Sequence, residues 1–227
     1  MMTVGRSAFT ALTIGLILLG GAPSAAAGQS ADGFGAGWFA GGSYLTSLNS
    51  DAAGSEVEDL APGAGFSVGL HLEGWYGEER RLGVRVDGAY QQPRFDWVQG
   101  QRKVDVGSAH VSTILRLLPL EEDRMAGPYL GAGVGGSWYD LGTGPGTTYS
   151  PADAYHDGSS RILPSVQLAA GVDIRTPWSR GRAPVNLRLE VADHISRSPL
   201  RNPDDSSRHD IVHNVRFTLG AYAVIPR

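Results

Sequence analysis

The sequence predicts an all-β fold, an eight-stranded antiparallel up-and-down transmembrane barrel. Three observations lead there: a secretory leader, eight following segments that alternate apolar with small or polar residues, and no helical period between them. Successive strand side chains point to opposite faces. Phe66-Ser67-Val68-Gly69-Leu70-His71-Leu72-Glu73 therefore has one apolar side and one wet side. A small barrel with lipid outside and a polar lumen inside uses this pattern.

Residues 1–27 have the three parts of a signal peptide: Arg6 as the positive start, the apolar run Ala8 to Leu19, and small residues Ala25-Ala26-Ala27 before Gly28. The run is too short to span a bilayer, which takes roughly 20 residues. The chain has no cysteine, which excludes a lipoprotein anchor, disulfides and thiolate metal sites. Residues 28–227 are expected to form one barrel domain. Loss of Arg6 takes the net charge from −4 to −5, and no basic stripe is present, so nucleic acid is not an expected partner. The 32 glycines have no collagen-like spacing and recur inside the alternating segments. Interior glycine suits a tightly curved wall.

The segments run Gly35 to Leu45, Gly63 to Tyr76, Leu82 to Tyr90, Lys103 to Leu118, Tyr129 to Tyr139, Leu163 to Arg175, Val185 to Val191, and Asn214 to Ile225. Segment one sends Ala36, Trp38, Ala40 and Gly42 to one face. Outward residues in segments two and three are Phe66, Val68, Leu70 and Leu72, then Leu82, Val84, Val86 and Tyr90. Segments four and five contribute Ala109, Val111, Leu115 and Leu117, then Leu130, Ala132, Val134 and Trp138. Segment six adds Val166, Leu168, Ala170, Val172 and Ile174; segment seven adds Val185, Leu187, Leu189 and Val191. The last gives Val215, Phe217, Leu219, Ala221 and Ala223.

The connections alternate in length. Gly77 to Arg81, Pro119 to Gly127 and Thr176 to Ala183 are the shorter ones; Thr46 to Pro62, Gln91 to Arg102, Asp140 to Ser160 and Ala192 to Asp210 are longer. Short periplasmic turns and long outer loops characterise membrane barrels, and eight strands then place both termini in the periplasm. Trp75, Tyr76, Tyr90, Trp97, Trp138, Tyr139, Trp178 and Tyr222 fall near segment ends, as interfacial girdles would.

The polar face contains Glu73, Arg85, Asp87, Arg116, Asp173, Arg175, Arg188, Glu190 and Arg216. Buried unpaired charge is costly, so opposite charges are expected to pair across the lumen. Eight strands enclose just enough room for side chains, which predicts a plugged barrel. Inward His71 and His110 are expected to join that network. His209, Asp210 and His213 would form a rim metal site with His194 only if the final hairpin is symmetric about Asn202; solvated loop residues are the expectation. Gly142-Thr143-Gly144-Pro145-Gly146 lacks the lysine and helix of a phosphate loop and reads as a surface loop.

With these segments in place, the chain resembles the eight-stranded outer-membrane barrels typified by OmpA and OmpX. The resemblance covers residues 34–225. It rests on the leader, Pro128-Tyr129-Leu130-Gly131-Ala132-Gly133-Val134-Gly135, Leu187-Arg188-Leu189-Glu190-Val191, and the last strand Phe217-Thr218-Leu219-Gly220-Ala221-Tyr222-Ala223-Val224-Ile225. It implies an outer-membrane location, contact with outer-membrane lipid, and the barrel-insertion machinery as an assembly partner. Family members often end on an aromatic residue, whereas this chain ends Ile225-Pro226-Arg227. The cell-wall-binding domain of the OmpA type is not implied.

His194-Ile195-Ser196 is similar to the His-x-Ser pair of outer-membrane lipid A 3-O-deacylases, where histidine would activate a serine hydroxyl. That family has a later glutamate. Here Asp204, Asp205 and Asp210 are the later acids, and a polar strand end without catalytic role is the expectation. A soluble lipocalin-type barrel would invert every face. The resulting expectation is a non-enzymatic outer-membrane barrel with a structural or surface-interaction role and no cofactor. A narrow small-solute channel and a lipid A-modifying enzyme are the alternatives, and the loops name no ligand.

Overall fold

The computed structural model describes residues 33–46, 63–77, 80–97, 100–118, 125–140, 160–176, 185–198 and 211–226. They form β1 (Gly33–Leu45), β2 (Gly63–Tyr76), β3 (Leu82–Trp97), β4 (Gly100–Lys103), β5 (Asp105–Arg116), β6 (Ala126–Asp140), β7 (Ser160–Arg175), β8 (Val185–Arg197) and β9 (Ile211–Pro226). Each strand pairs antiparallel with its neighbours, and β9 returns to β1 to close the ring. Closure leaves eight staves, because β4 and β5 are one stave interrupted at Val104. There the Val104 N–H donates to the Pro93 carbonyl at 3.1 Å. The ring removes the open edges that would otherwise expose unpaired backbone groups. Gly33 pairs with Pro226, so the two ends of the strand circuit meet at the short-turn end.

The faces fall by parity. Trp38, Phe66, Leu70, Val134, Phe217 and Leu219 are exposed on the outer wall, while Glu73, Arg85, Asp173 and Arg216 are buried inside. This is the reverse of a lipocalin-type interior. Val86, Val111, Val134 and Val166 lie side by side across four staves, forming a belt of valine around half the wall. Val215 to Ala223 on β9 is one uninterrupted apolar outer stripe. At about 3.3 Å per residue and a tilt near 40°, such a stripe stands about 20 Å tall, close to the apolar band of a membrane barrel.

Six strands, β1, β3, β6, β7, β8 and β9, run further than hydropathy alternation predicts. β3 continues to Trp97 and pairs with β4, so part of the expected loop Gln91 to Arg102 is sheet. β8 continues to Arg197, into the expected loop Ala192 to Asp210, and β9 begins at Ile211 rather than Asn214. The outward residues in these extensions include Gln92, Asp193 and His213. Tyr90 donates to Asp105 at 2.6 Å, Gln92 donates to the same carboxylate at 2.9 Å, and His213 Nδ1 lies 2.7 Å from Asp193. Beyond the apolar band the outer face no longer has to be apolar. Backbone pairing goes on while the hydropathy signal fades.

The girdle expectation needs correction. Tyr90 is exposed on the outer wall, but Trp75, Tyr139 and Tyr222 are inward and fully buried. Parity decides this: Trp75 follows Glu73 by two residues, and Tyr222 follows Thr218 by four. The Trp97 side chain and Trp178 lie outside the described residues.

Glycine is required where staves approach closely. A Cβ on Gly41 would sit 1.9 Å from the Phe217 carbonyl oxygen, and one on Gly135 would sit 2.0 Å from that of Ala109. Both obstacles are backbone and cannot rotate away. Gly135→Ala is expected to cost about 1–3 kcal/mol through this overpacking. Urea unfolding in lipid vesicles would measure it, and an unchanged midpoint would contradict the fit.

The lumen as candidate functional site

Eight of the nine charged residues expected inside form two chains of alternating sign. Nearer the turns, Arg116 Nη2 donates to Asp173 at 2.9 Å and Arg188 Nε to the same carboxylate at 2.7 Å. Arg188 Nη1 then donates to Glu73 at 2.8 Å. Further up, Glu190 contacts Arg85, whose Nε lies 3.5 Å from Asp87, and Arg216 Nη2 lies 3.5 Å from the other Asp87 oxygen. Each chain has two guanidinium groups and two carboxylates, so each is neutral. Arg175 is half-buried at its strand end.

Aromatic side chains join the two levels. Tyr129 donates to Glu190 at 2.5 Å, while the Arg188 guanidinium lies 4.8 Å from the Tyr129 ring centre and 4.4 Å from that of Tyr222. Tyr222 donates to Asp173 at 2.8 Å. Trp75 donates to Glu73 at 2.9 Å, and Arg116 sits 3.6 Å over its ring. Phe39 stacks on His71 at 6.3 Å. Planar guanidinium groups on aromatic faces use geometry that lysine could not supply. The four inward cations of these chains are all arginine.

Apolar clusters lie toward both ends of the bore. Trp75, Ile114 and Tyr129 pack together near the turns. Leu45, Val104, Val106, Tyr139, Leu163 and Val212 pack at the loop end. These residues share parity with the charged set, and the sequence reading missed them because it sorted residues by hydropathy. Ile114 lies between Ser112 and Arg116 on the inward phase, and that position alone could have revealed it.

The structure turns the His-x-Ser pair inward. His194 and Ser196 lie at the loop end of β8, which runs to Arg197, and both face inward and are buried. Tyr139 and Ser196 hydroxyls lie 2.8 Å apart, whereas both His194 nitrogens lack a protein hydrogen-bond partner. His110, 4.5 Å away ring to ring, contacts Ser165 at 2.7 Å. The condition for a rim metal grouping is also not met. The register pairs Arg197 with Ile211, which centres the hairpin on position 204 rather than 202. His194 therefore pairs with Asn214 and points inward, while His213 points outward. His209 and Asp210 lie outside the described residues, as do Gly142 to Gly146. Among the described residues, no three His, Asp or Glu side chains gather as a metal site.

A closed ring of eight antiparallel staves, apolar outside and ionic within, has the fold of the eight-stranded outer-membrane barrels. The chain is similar to Neisserial surface protein A (NspA), at 15% identity over 86% of this chain and 97% of that one, with a TM-score of 0.54. It is also similar to the outer membrane protein OprG from Pseudomonas aeruginosa, at 12% identity over 88% and 99%, with a TM-score of 0.51. No family model and no curated protein sequence matches it.

Proposed function

We propose that the protein is a plugged outer-membrane barrel without catalytic activity, a rigid support that holds its outer loops at the cell surface for structural or binding roles. One observation carries this reading: among the described residues the lumen holds two neutral, buried ionic chains between two apolar clusters. Ions crossing it would have to displace buried pairs whose charges are costly to leave uncompensated. The leader at residues 1–27 would deliver the chain to the periplasm. Both strand ends would then remain there, with the long connections outside and lipid against the apolar wall. Binding specificity would reside in those connections, as it does wherever loops vary on a fixed scaffold. Neither nucleic acid nor a cofactor has a place in this reading.

Small-solute passage and lipid A modification are less well supported. The lumen is crossed by buried ion pairs, and His194 and Ser196 point away from the lipid-facing wall. Purified protein in planar bilayers is expected to give no steady channel conductance, and lipid A from cells with and without the protein should be identical by mass spectrometry. A stable open channel, or acyl loss abolished by Ser196→Ala, would overturn the proposal.

A further inference from the structure

His110 on β5 and His194 on β8 stand three staves apart around the wall, yet their rings meet edge to face in the lumen, 4.5 Å between centres. Both side chains are buried. The wall between them leaves room for this: a Cβ at Gly135, on the intervening β6, would come within 2.7 Å of the His110 ring. His110 Nε2 contacts the Ser165 hydroxyl at 2.7 Å, while its Nδ1 and both His194 nitrogens have no protein partner. Neither ring is held by a carboxylate.

The charged groups acting on the pair come from two other staves, Asp87 and Arg85 from β3 and Arg216 from β9. Asp87 is already committed, lying 3.5 Å from both Arg85 Nε and Arg216 Nη2. Glu190, on the same stave as His194, contacts Arg85 and Tyr129 instead. The intervening staves bring Ser137 and Tyr139 from β6 and Ser165 and Gln167 from β7 to the inward face here, and none of these is a carboxylate. With both imidazoles neutral the level is balanced, because the upper ionic chain is itself neutral. Protonating them adds two positive charges beside Arg216, with no free carboxylate to receive them. Like charges in contact away from bulk water are costly.

We infer that the His110–His194 pair is an acid-sensitive switch in the loop-end half of the barrel. Above the range in which imidazole titrates, the rings are neutral and the staves stay packed. As pH falls through that range, the rings charge, repel each other and Arg216, and the packing beside them loosens. The register defines what loosens. Ser196, two residues beyond His194, lies 2.8 Å from the Tyr139 hydroxyl, and Tyr139 belongs to the loop-end apolar cluster. That cluster also includes Leu163, two residues before Ser165, and Val212, two before the Asn214 that pairs with His194. These staves carry outer connections, so acid changes how firmly the connections are held. The other described histidines each have a carboxylate at hand. His71 shares Arg188 with Glu73, and His213 Nδ1 lies 2.7 Å from Asp193.

Hydrogen exchange of the protein folded in lipid vesicles tests the switch. Protection of the Tyr139, Ile195 and Val212 amides, corrected for the intrinsic effect of pH on exchange, should fall about ten-fold or more between about pH 7.5 and pH 5. Amides beside Asp173, near the turns, should change by less than about two-fold. His194→Gln keeps a polar side chain that cannot titrate in this range, and it should remove most of the loop-end response. His110→Gln should do the same and gives a second reading if the first variant folds poorly; His71→Gln should leave the response intact. Heat-modifiable migration on gels confirms that each variant is folded. Equal protection at both pH values, a loss spread evenly over the barrel, or loosening that survives both glutamine substitutions would each refute the switch. The readout is local stability, so it stands apart from the conductance and lipid A tests.

Discussion

Asp173→Ala should lower the stability of the folded barrel by about 3–5 kcal/mol. Asp173 is fully buried and accepts from Arg116, Arg188 and Tyr222, at 2.9, 2.7 and 2.8 Å. Removing it leaves two guanidinium groups facing each other without an intervening carboxylate. Glu73 can still hold Arg188, but Arg116 loses its only partner within the ionic chain. Most of the loss comes from that stranded charge, not from the forfeited attraction. Asp193→Ala is the matched control. Its contact with His213 is 2.7 Å, yet the two side chains are 28% and 45% exposed. Solvent screening limits such a pair to about 1 kcal/mol or less. Urea unfolding of both variants in lipid vesicles should separate them by several-fold in free energy. Equal effects would mean that the lumen is solvated throughout, and the plug would lose its physical basis.

Much of the fold was legible because a membrane wall imposes a strict rule. Each stave must present an apolar residue at every second position across the band, so Phe66 to Leu72 and Leu187 to Val191 announce both strand and face. The rule lapses outside the band. Asp193, His213 and Gln92 face outward from paired strands, and nothing in their hydropathy marks them as sheet. The staves were therefore read too short at the loop end, and the His194 segment was read as strand end and loop when it is inward-facing strand.

The lumen was legible by charge but not by shape. Arg85, Asp87, Arg188 and Glu190 stand out on the inward phase, because ions cannot face lipid cheaply. Which carboxylate meets which arginine depends on register across several staves, and no single segment contains that information. The aromatic and aliphatic occupants were hidden for a different reason. Trp75, Ile114 and Leu163 are apolar residues on the polar phase, and a reading keyed to hydropathy has no rule that sends them inward. They go there because a bore with ionic chains at its centre still has ends to close.

Val134→Arg should cost about 2–4 kcal/mol in lipid vesicles, the penalty for a cation at the bilayer midplane on an outer wall. Val134 is 66% exposed and sits in the middle of β6, flanked by Val111 and Val166 on the adjoining staves. Depth decides the magnitude. Gln92→Arg, on the outer face beside Asp105 and Tyr90, should cost only about 0–1 kcal/mol because it lies at the rim, where water and headgroups solvate it. The two substitutions introduce the same side chain on the same wall, so their difference isolates the surroundings. A water-soluble barrel would tolerate both equally, as surface arginines on an exposed sheet. If unfolding in vesicles shows Val134→Arg no worse than Gln92→Arg, the valine belt does not touch hydrocarbon and the membrane assignment fails.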